Sequence, residues 1–191
     1  MSTLIWPQDA LACEPHFLSR LRSGDLDAIS EVYDRHQEAL CSFASRLLGE
    51  RQAAEDLVHD VFVVLPEVVH RFEPGTSLRA FLLGVTANRA RHYVRAAARR
   101  RRMTERFANE PTPRVADPEQ HAHRKVLARK LANILDKLPH DQRVTFVLCD
   151  IDGNDSSEAA EILRIPQATV RTRLFYARQK VRAHLDREKL R

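Results

Sequence analysis

The sequence predicts an all-α protein: two small helical domains joined by a flexible linker, the second containing a helix-turn-helix. Three observations carry that reading. Apolar residues recur at helical spacing along nearly every segment, and alternating strand patterns are absent. Only 5 glycines occur in 191 residues, too few for the Gly-rich turns of a doubly wound nucleotide fold. A hydrophobic content of 43% beside 30% charged residues suffices to build a core.

Taken in order, Asp25 is a good N-cap for a long helix, Leu26 to Leu48, with Gly49 at the C-cap position. Ile29, Val32, Tyr33, Leu40, Phe43, Ala44, Leu47 and Leu48 form its apolar stripe. A second helix is expected from about Gln52 to Phe72, with Pro66 kinking or ending it. After the turn Glu73-Pro74-Gly75-Thr76, Ser77 caps a third long helix that runs into the arginines at 99–102. Residues 103–123 change character: Pro111, Pro113 and Pro118 punctuate polar residues, the composition of a linker. The domains on this reading are 1–102 and 124–191. Four more helices follow, at about 122–137, 141–150, 156–163 and 167–185.

The charge is segregated. Residues 1–88 carry 7 basic and 13 acidic side chains, whereas 89–102 carry 7 arginines and no acid. Residues 103–163 are again acidic, and 164–191 hold 9 basic against 2 acidic groups. The overall charge of +5 therefore sits in two short basic blocks, each on an expected helix, which fits a polyanion contacted at two places. The acidic remainder argues against general binding to a membrane surface.

Several function classes are excluded. No Ser-His-Asp arrangement or Gly-rich phosphate loop occurs, and His121, His123 and the cysteines lack metal-ligand spacing. No catalytic residue, metal or cofactor is expected. Cys13, Cys41 and Cys149 are odd in number and far apart, as buried thiols of a reducing cytoplasm would be. The longest apolar run, Val61 to Leu65, is too short to span a bilayer, and Met1 to Ala12 lacks the basic start of a signal peptide.

Near the C-terminus, Asp155 and Glu158 have capping-box spacing at the start of a short helix. Arg164-Ile165-Pro166-Gln167 makes a tight connection to a long basic helix. There Val170, Leu174, Ala177 and Val181 face the core, while Arg171, Phe175, Arg178 and Arg182 repeat that spacing about 100° round. This is a helix-turn-helix shaped for a major groove, with arginines able to read guanine edges or meet phosphates. In the third helix Asn88, Arg91, His92 and Arg95 form a second polar stripe, suited to lie along phosphates while Asn88 and His92 reach bases. Upstream, acids mixed with large apolar groups in Ala54 to Phe62 suggest a protein-docking surface.

The stretch Ala54-Glu55-Asp56-Leu57-Val58-His59-Asp60-Val61-Phe62, then Ser77-Leu78-Arg79-Ala80-Phe81-Leu82 through Ala87-Asn88-Arg89, then Leu138-Pro139 through Cys149, Ala159 to Leu163 and Ile165 to Leu174 together resemble the extracytoplasmic-function sigma factors. These are minimal promoter-recognition subunits of bacterial RNA polymerase. The resemblance implies a cytoplasmic, non-enzymatic protein that docks on the core polymerase, at its β′ coiled coil and β flap, and recognises promoter DNA. Asp56, His59, Asp60 and Phe62 would contact polymerase. Phe72, Ser77, Asn88, Arg91, His92 and Arg95 would read the −10 element, the loop Phe72 to Ser77 holding a flipped base. Gln167, Thr169, Arg171, Thr172, Arg173, Phe175, Arg178 and Arg182 would read the −35 element. An inhibitory partner, an anti-sigma factor, is expected as well.

This sequence departs from the family pattern in places. His59 and Asp60 stand where glutamine and glutamate are common, Phe81 replaces a tryptophan, and His92 an aspartate. Leu83-Gly84 replaces a larger pair, which is expected to loosen the helix before Asn88. The rival reading is a stand-alone helix-turn-helix repressor or activator with a helical sensor domain, which would bind its operator without polymerase.

Overall fold

The computed structural model describes residues 15–73, 76–104 and 131–189. Pro74, Gly75, Cys13 and most of the expected linker lie outside the described residues, among which every regular element is helical. The first half holds α1 (Pro15–Arg22), α2 (Leu26–Leu48), α3 (Arg51–Val63), α4 (Leu65–Val68) with a 3₁₀ turn (Val69–Arg71), and α5 (Leu78–Thr104). The second half holds α6 (residues 131–136), α7 (His140–Phe146), a π turn (Val147–Ile151), α8 (Ser156–Leu163) and α9 (Gln167–Lys189).

Capping residues set the boundaries. The Asp25 carboxylate accepts from the N–H groups of Asp27 and Ala28, and Gly49 closes α2 in the left-handed conformation, φ 73°. Arg20 reaches the same carboxylate at 2.7 Å; that hydrogen bond, followed by the Ala28 N–H, holds Asp25 down at about 2. The helix expected over Gln52–Phe72, kinked or ended by Pro66, is three pieces, the first break falling at Val64. Pro66 cannot donate an N–H and its ring would strike the carbonyl of Phe62 in a continuous helix. It sits in the first turn of α4, where no N–H is needed. Gly84, by contrast, leaves α5 unbroken.

In the second half, Asp155 accepts from Ser157 and Glu158 N–H at 2.6 and 2.9 Å, while Glu158 accepts from Asp155 N–H at 2.7 Å. This reciprocal capping box starts α8, and losing such a cap typically costs about 1 kcal/mol. α8 ends at Arg164 in the left-handed region, φ 51°. Its N–H and that of Ile165 bond back to Glu161 and Ala160 carbonyls. Val170, Leu174, Ala177 and Val181 are buried as their spacing predicts.

One apolar core runs through both halves, from Leu21, Phe43, Leu47 and Leu82 to Leu148, Ile162 and Val170. Polar groups cross the same boundary. Arg143, buried on α7, donates to the Leu47 carbonyl at 2.7 Å and to Asp136 at 3.0 Å. Arg46 pairs with Asp152, whose carboxyl burial pushes up although Arg46 and Arg79 pull it down. The His140 ring bonds the Ala87 carbonyl of α5 through Nε2 at 3.2 Å.

Because that carbonyl can only accept, Nε2 carries the proton, and Nδ1 lies buried without a hydrogen-bond partner. Burial lowers the His140 pKa below 6.5; the Ala87 carbonyl and Asp141 oppose the shift, and Arg143 and Arg91 reinforce it. A base depressed in the folded state stabilises it fully above the unfolded pKa and progressively less below. The melting temperature should therefore fall as the pH drops from 7 towards 5, and His140→Gln should flatten that slope. A slope unchanged in the variant would assign the dependence to other groups.

Candidate nucleic-acid interface

Three faces carry the polar side chains that the sequence singles out. On α3, Asp56, His59 and Asp60 are exposed and lie at i, i+3 and i+4, so they share one face. Gln52 donates to Asp56 at 3.3 Å. Phe62 does not join that face: it is 5% exposed, its ring meeting Tyr33 edge-on at 4.9 Å. Tyr33 and Val63 are the exposed apolar groups flanking it in sequence and contact. The sequence places Tyr33 on the inward stripe of α2, whereas the structure turns it partly to solvent.

On α5, Asn88, His92 and Arg95 are exposed and Arg91 is half-buried. Ala87 and Ala90 pack against the core on the opposite side, which orients this stripe outward. Ser77 is the cap of α5, its hydroxyl accepting from Ala80 N–H at 3.2 Å. Phe72 is buried, in an edge-to-face contact with Phe81 at 5.6 Å. These two rings brace the base of the loop rather than line an open pocket.

On α9, Arg171, Thr172, Phe175 and Arg182 are exposed, Phe175 at 63%. Gln167 donates to Ser156 at 2.9 Å, tying the start of α9 to the start of α8. Thr169 is half-buried, and Thr172 bonds the Ala168 carbonyl within its own helix. Two arginines of α9 are already engaged. Arg178 makes a two-pronged contact with Asp150, at 2.6 and 2.9 Å, and Arg173 bonds Asp141 at 3.0 Å. Asp141 also takes Arg91 of α5, at 3.4 Å. Neither acid stands out in the sequence, because its partners lie 28 to 50 residues away.

Residues 32–100 match the family described as sigma-70 region 2, and residues 128–181 match sigma-70, region 4. An extracytoplasmic-function sigma factor of Mycolicibacterium smegmatis, SigE, is 33% identical over 159 residues, 81% of this chain and 60% of its own length. The chain belongs to the sigma-70 family, in its extracytoplasmic-function group. The sigma factor CarQ of Myxococcus xanthus is 29% identical to it over 93% of CarQ. Among solved structures, CnrH in complex with the cytosolic domain of CnrY aligns with a TM-score of 0.62 and 28% identity, covering 91% of this chain and 97% of CnrH. The sigma factor RpoE of Bartonella quintana, in complex with the anti-sigma factor NepR, aligns at 0.58 and 25% identity, over 81% and 98%.

The α3 and α5 faces of this sigma factor fall within the region 2 match, and the helix-turn-helix within region 4. Burial pushes the Cys41 and Cys149 thiols up, which leaves both protonated and poorly nucleophilic near neutrality. Among the described residues no cluster of His, Cys, Asp or Glu could hold a metal ion, and no helix is long and apolar enough to cross a membrane.

Proposed function

We propose that this sigma factor binds core RNA polymerase through the α3 face of Asp56, His59 and Asp60, beside exposed Tyr33 and Val63. It then reads the −10 element with the α5 stripe and the −35 element with α9. The observation that carries this reading is the order of faces in one chain: an exposed acidic face, then two basic helices, one of them in a helix-turn-helix. Such a protein acts by binding and catalyses nothing itself. It works in the cytoplasm, on the β′ coiled coil and β flap of the polymerase. The domains of the reading are 1–102 and 124–191. An anti-sigma factor as partner is supported by the structural neighbour RpoE, which was solved in complex with the anti-sigma factor NepR.

On α9 the exposed Arg171 is placed to read a base, with Gln167, Thr169, Thr172, Arg173 and Phe175 around it. Arg178 and Arg182 lie further along, where phosphates run. The test is reconstituted transcription with core polymerase on a library of genomic promoters, alongside DNA binding with and without core. Initiation and sequence-specific binding are expected only when both proteins are present. Specific binding to an operator by the chain alone, with no initiation, would instead establish the stand-alone regulator.

A further inference from the structure

The outward surface of α9 has an apolar centre and basic edges. Val170, Leu174, Ala177 and Val181 are buried and set the inward direction of the helix. At about 100° per residue, Thr172 and Gln179 lie almost opposite them, and both are exposed. Phe175 and Tyr176 straddle that line, about 50° to either side. Both are open to water, Tyr176 at 47%, and their rings meet with 5.5 Å between centroids and 74° between planes. A contiguous apolar patch left open to water marks a binding surface.

Cations lie further round on both sides of the rings. Arg171, Arg178 and Arg182 follow on the Phe175 side, Arg173 and Lys180 on the Tyr176 side. A helix in a major groove meets base edges at its centre and phosphates along its flanks. The flanks of α9 thus match the phosphate walls, whereas its centre offers rings in place of charges. Thr172 adds no free donor there, because its hydroxyl donates to the Ala168 carbonyl at 3.0 Å. Among the bases, thymine alone presents an apolar group to the major groove, its 5-methyl. Two rings at a steep angle form a corner, and a methyl placed in it is removed from water on two sides.

Resting on the sigma-factor reading, we propose that Tyr176 is a further specificity residue of α9: with Phe175 it forms a corner that takes the 5-methyl of a thymine in the −35 element. The base at that position is chosen by apolar contact with its methyl and not by its hydrogen-bonding edge.

The test uses the full chain with core polymerase. Selection from a randomised −35 library first gives the preferred element, and each thymine in it, on either strand, is then replaced by deoxyuridine. That change removes one methyl and keeps the hydrogen-bonding edge. At one position wild type should bind about fourfold more weakly, the worth of one buried methyl. At the same position 5-methylcytosine should bind better than cytosine by about the same factor. Tyr176→Ala should bind the thymine and deoxyuridine duplexes about equally, whereas Tyr176→Phe should keep the wild-type ratio, because the ring makes the contact. A merely structural role for Tyr176 would weaken both duplexes alike and leave that ratio unchanged. A wild type indifferent to every methyl would overturn the proposal, as would a Tyr176→Ala chain with the wild-type ratio. If that variant is in addition poorly retained by core polymerase, the ring pair belongs to a protein interface instead. A wild type that selects no element and initiates nowhere with core polymerase would remove the sigma-factor reading itself.

Discussion

A chain carrying Asp56→Lys and Asp60→Lys should no longer be retained by core RNA polymerase, while its melting temperature stays close to that of wild type. Both carboxylates are exposed on α3, and away from caps and buried pairs such surface changes usually alter stability by about 0.5 kcal/mol or less. Binding is another matter. Like charges set against each other across an interface cost several kcal/mol, so two reversals should weaken docking by roughly a hundredfold or more. Phe62→Ala is the contrasting variant: this ring is in the core, and its truncation should cost about 3–5 kcal/mol of stability first. Co-purification with tagged core polymerase, with thermal melts of the free proteins, separates the two. Full retention of the double variant would remove α3 from the docking surface.

The second large effect is expected on α9. Arg171 is exposed, a helical turn before Phe175, and a bidentate contact from it to guanine discriminates by about 1–3 kcal/mol. Arg171→Ala should relax the preference at one −35 position by roughly ten- to a hundredfold. Arg182→Ala should weaken every sequence alike and reduce the salt slope by about one. Arg178 is held by Asp150, so Arg178→Ala should act on stability as well as on DNA affinity. Binding of the full chain to a randomised −35 library in the presence of core polymerase, at two salt concentrations, gives both quantities. Uniform weakening in every variant would make α9 an electrostatic clamp with no role in base choice.

What could be read from the sequence follows from how local each signal is. The bounds of α2 and α8 were legible because Asp25, Gly49 and the Asp155–Glu158 pair act within one turn of the residues that they cap. The burial of Val170, Leu174, Ala177 and Val181 followed from spacing alone. α1 was not legible: in eight residues only Phe17, Leu18 and Leu21 face inward, and too few turns repeat to fix a period. Tyr33 belongs to the apolar stripe by count but lies at its edge, where the ring packs on Phe62 and still meets water. The polar faces of α5 and α9 were visible as basic stretches that no acid interrupts. The acids that restrain them, Asp141 and Asp150, were not, because nothing near them in the chain records a partner that arrives from another helix. Gly84 is a case of a correct observation with the wrong consequence. Lack of a side chain does weaken a helix interior, but the packing of α8 makes its absence a requirement.

The π turn at Val147–Ile151 answers differently to deletion and to substitution. Its wide ring, closed by Asp152 N–H on the Val147 carbonyl at 2.9 Å, accommodates one residue more than an α turn. Two acids flank its end, Asp150 reaching Arg178 on α9 and Asp152 reaching Arg46 on α2. Each could be replaced singly at the expense of one ion pair. Deleting one residue from 147 to 149 would let the segment close as an ordinary α turn, because the wide ring is what takes up the extra residue. Its length can therefore change by one residue, whereas Val147 and Leu148, both fully buried, hold its side chains.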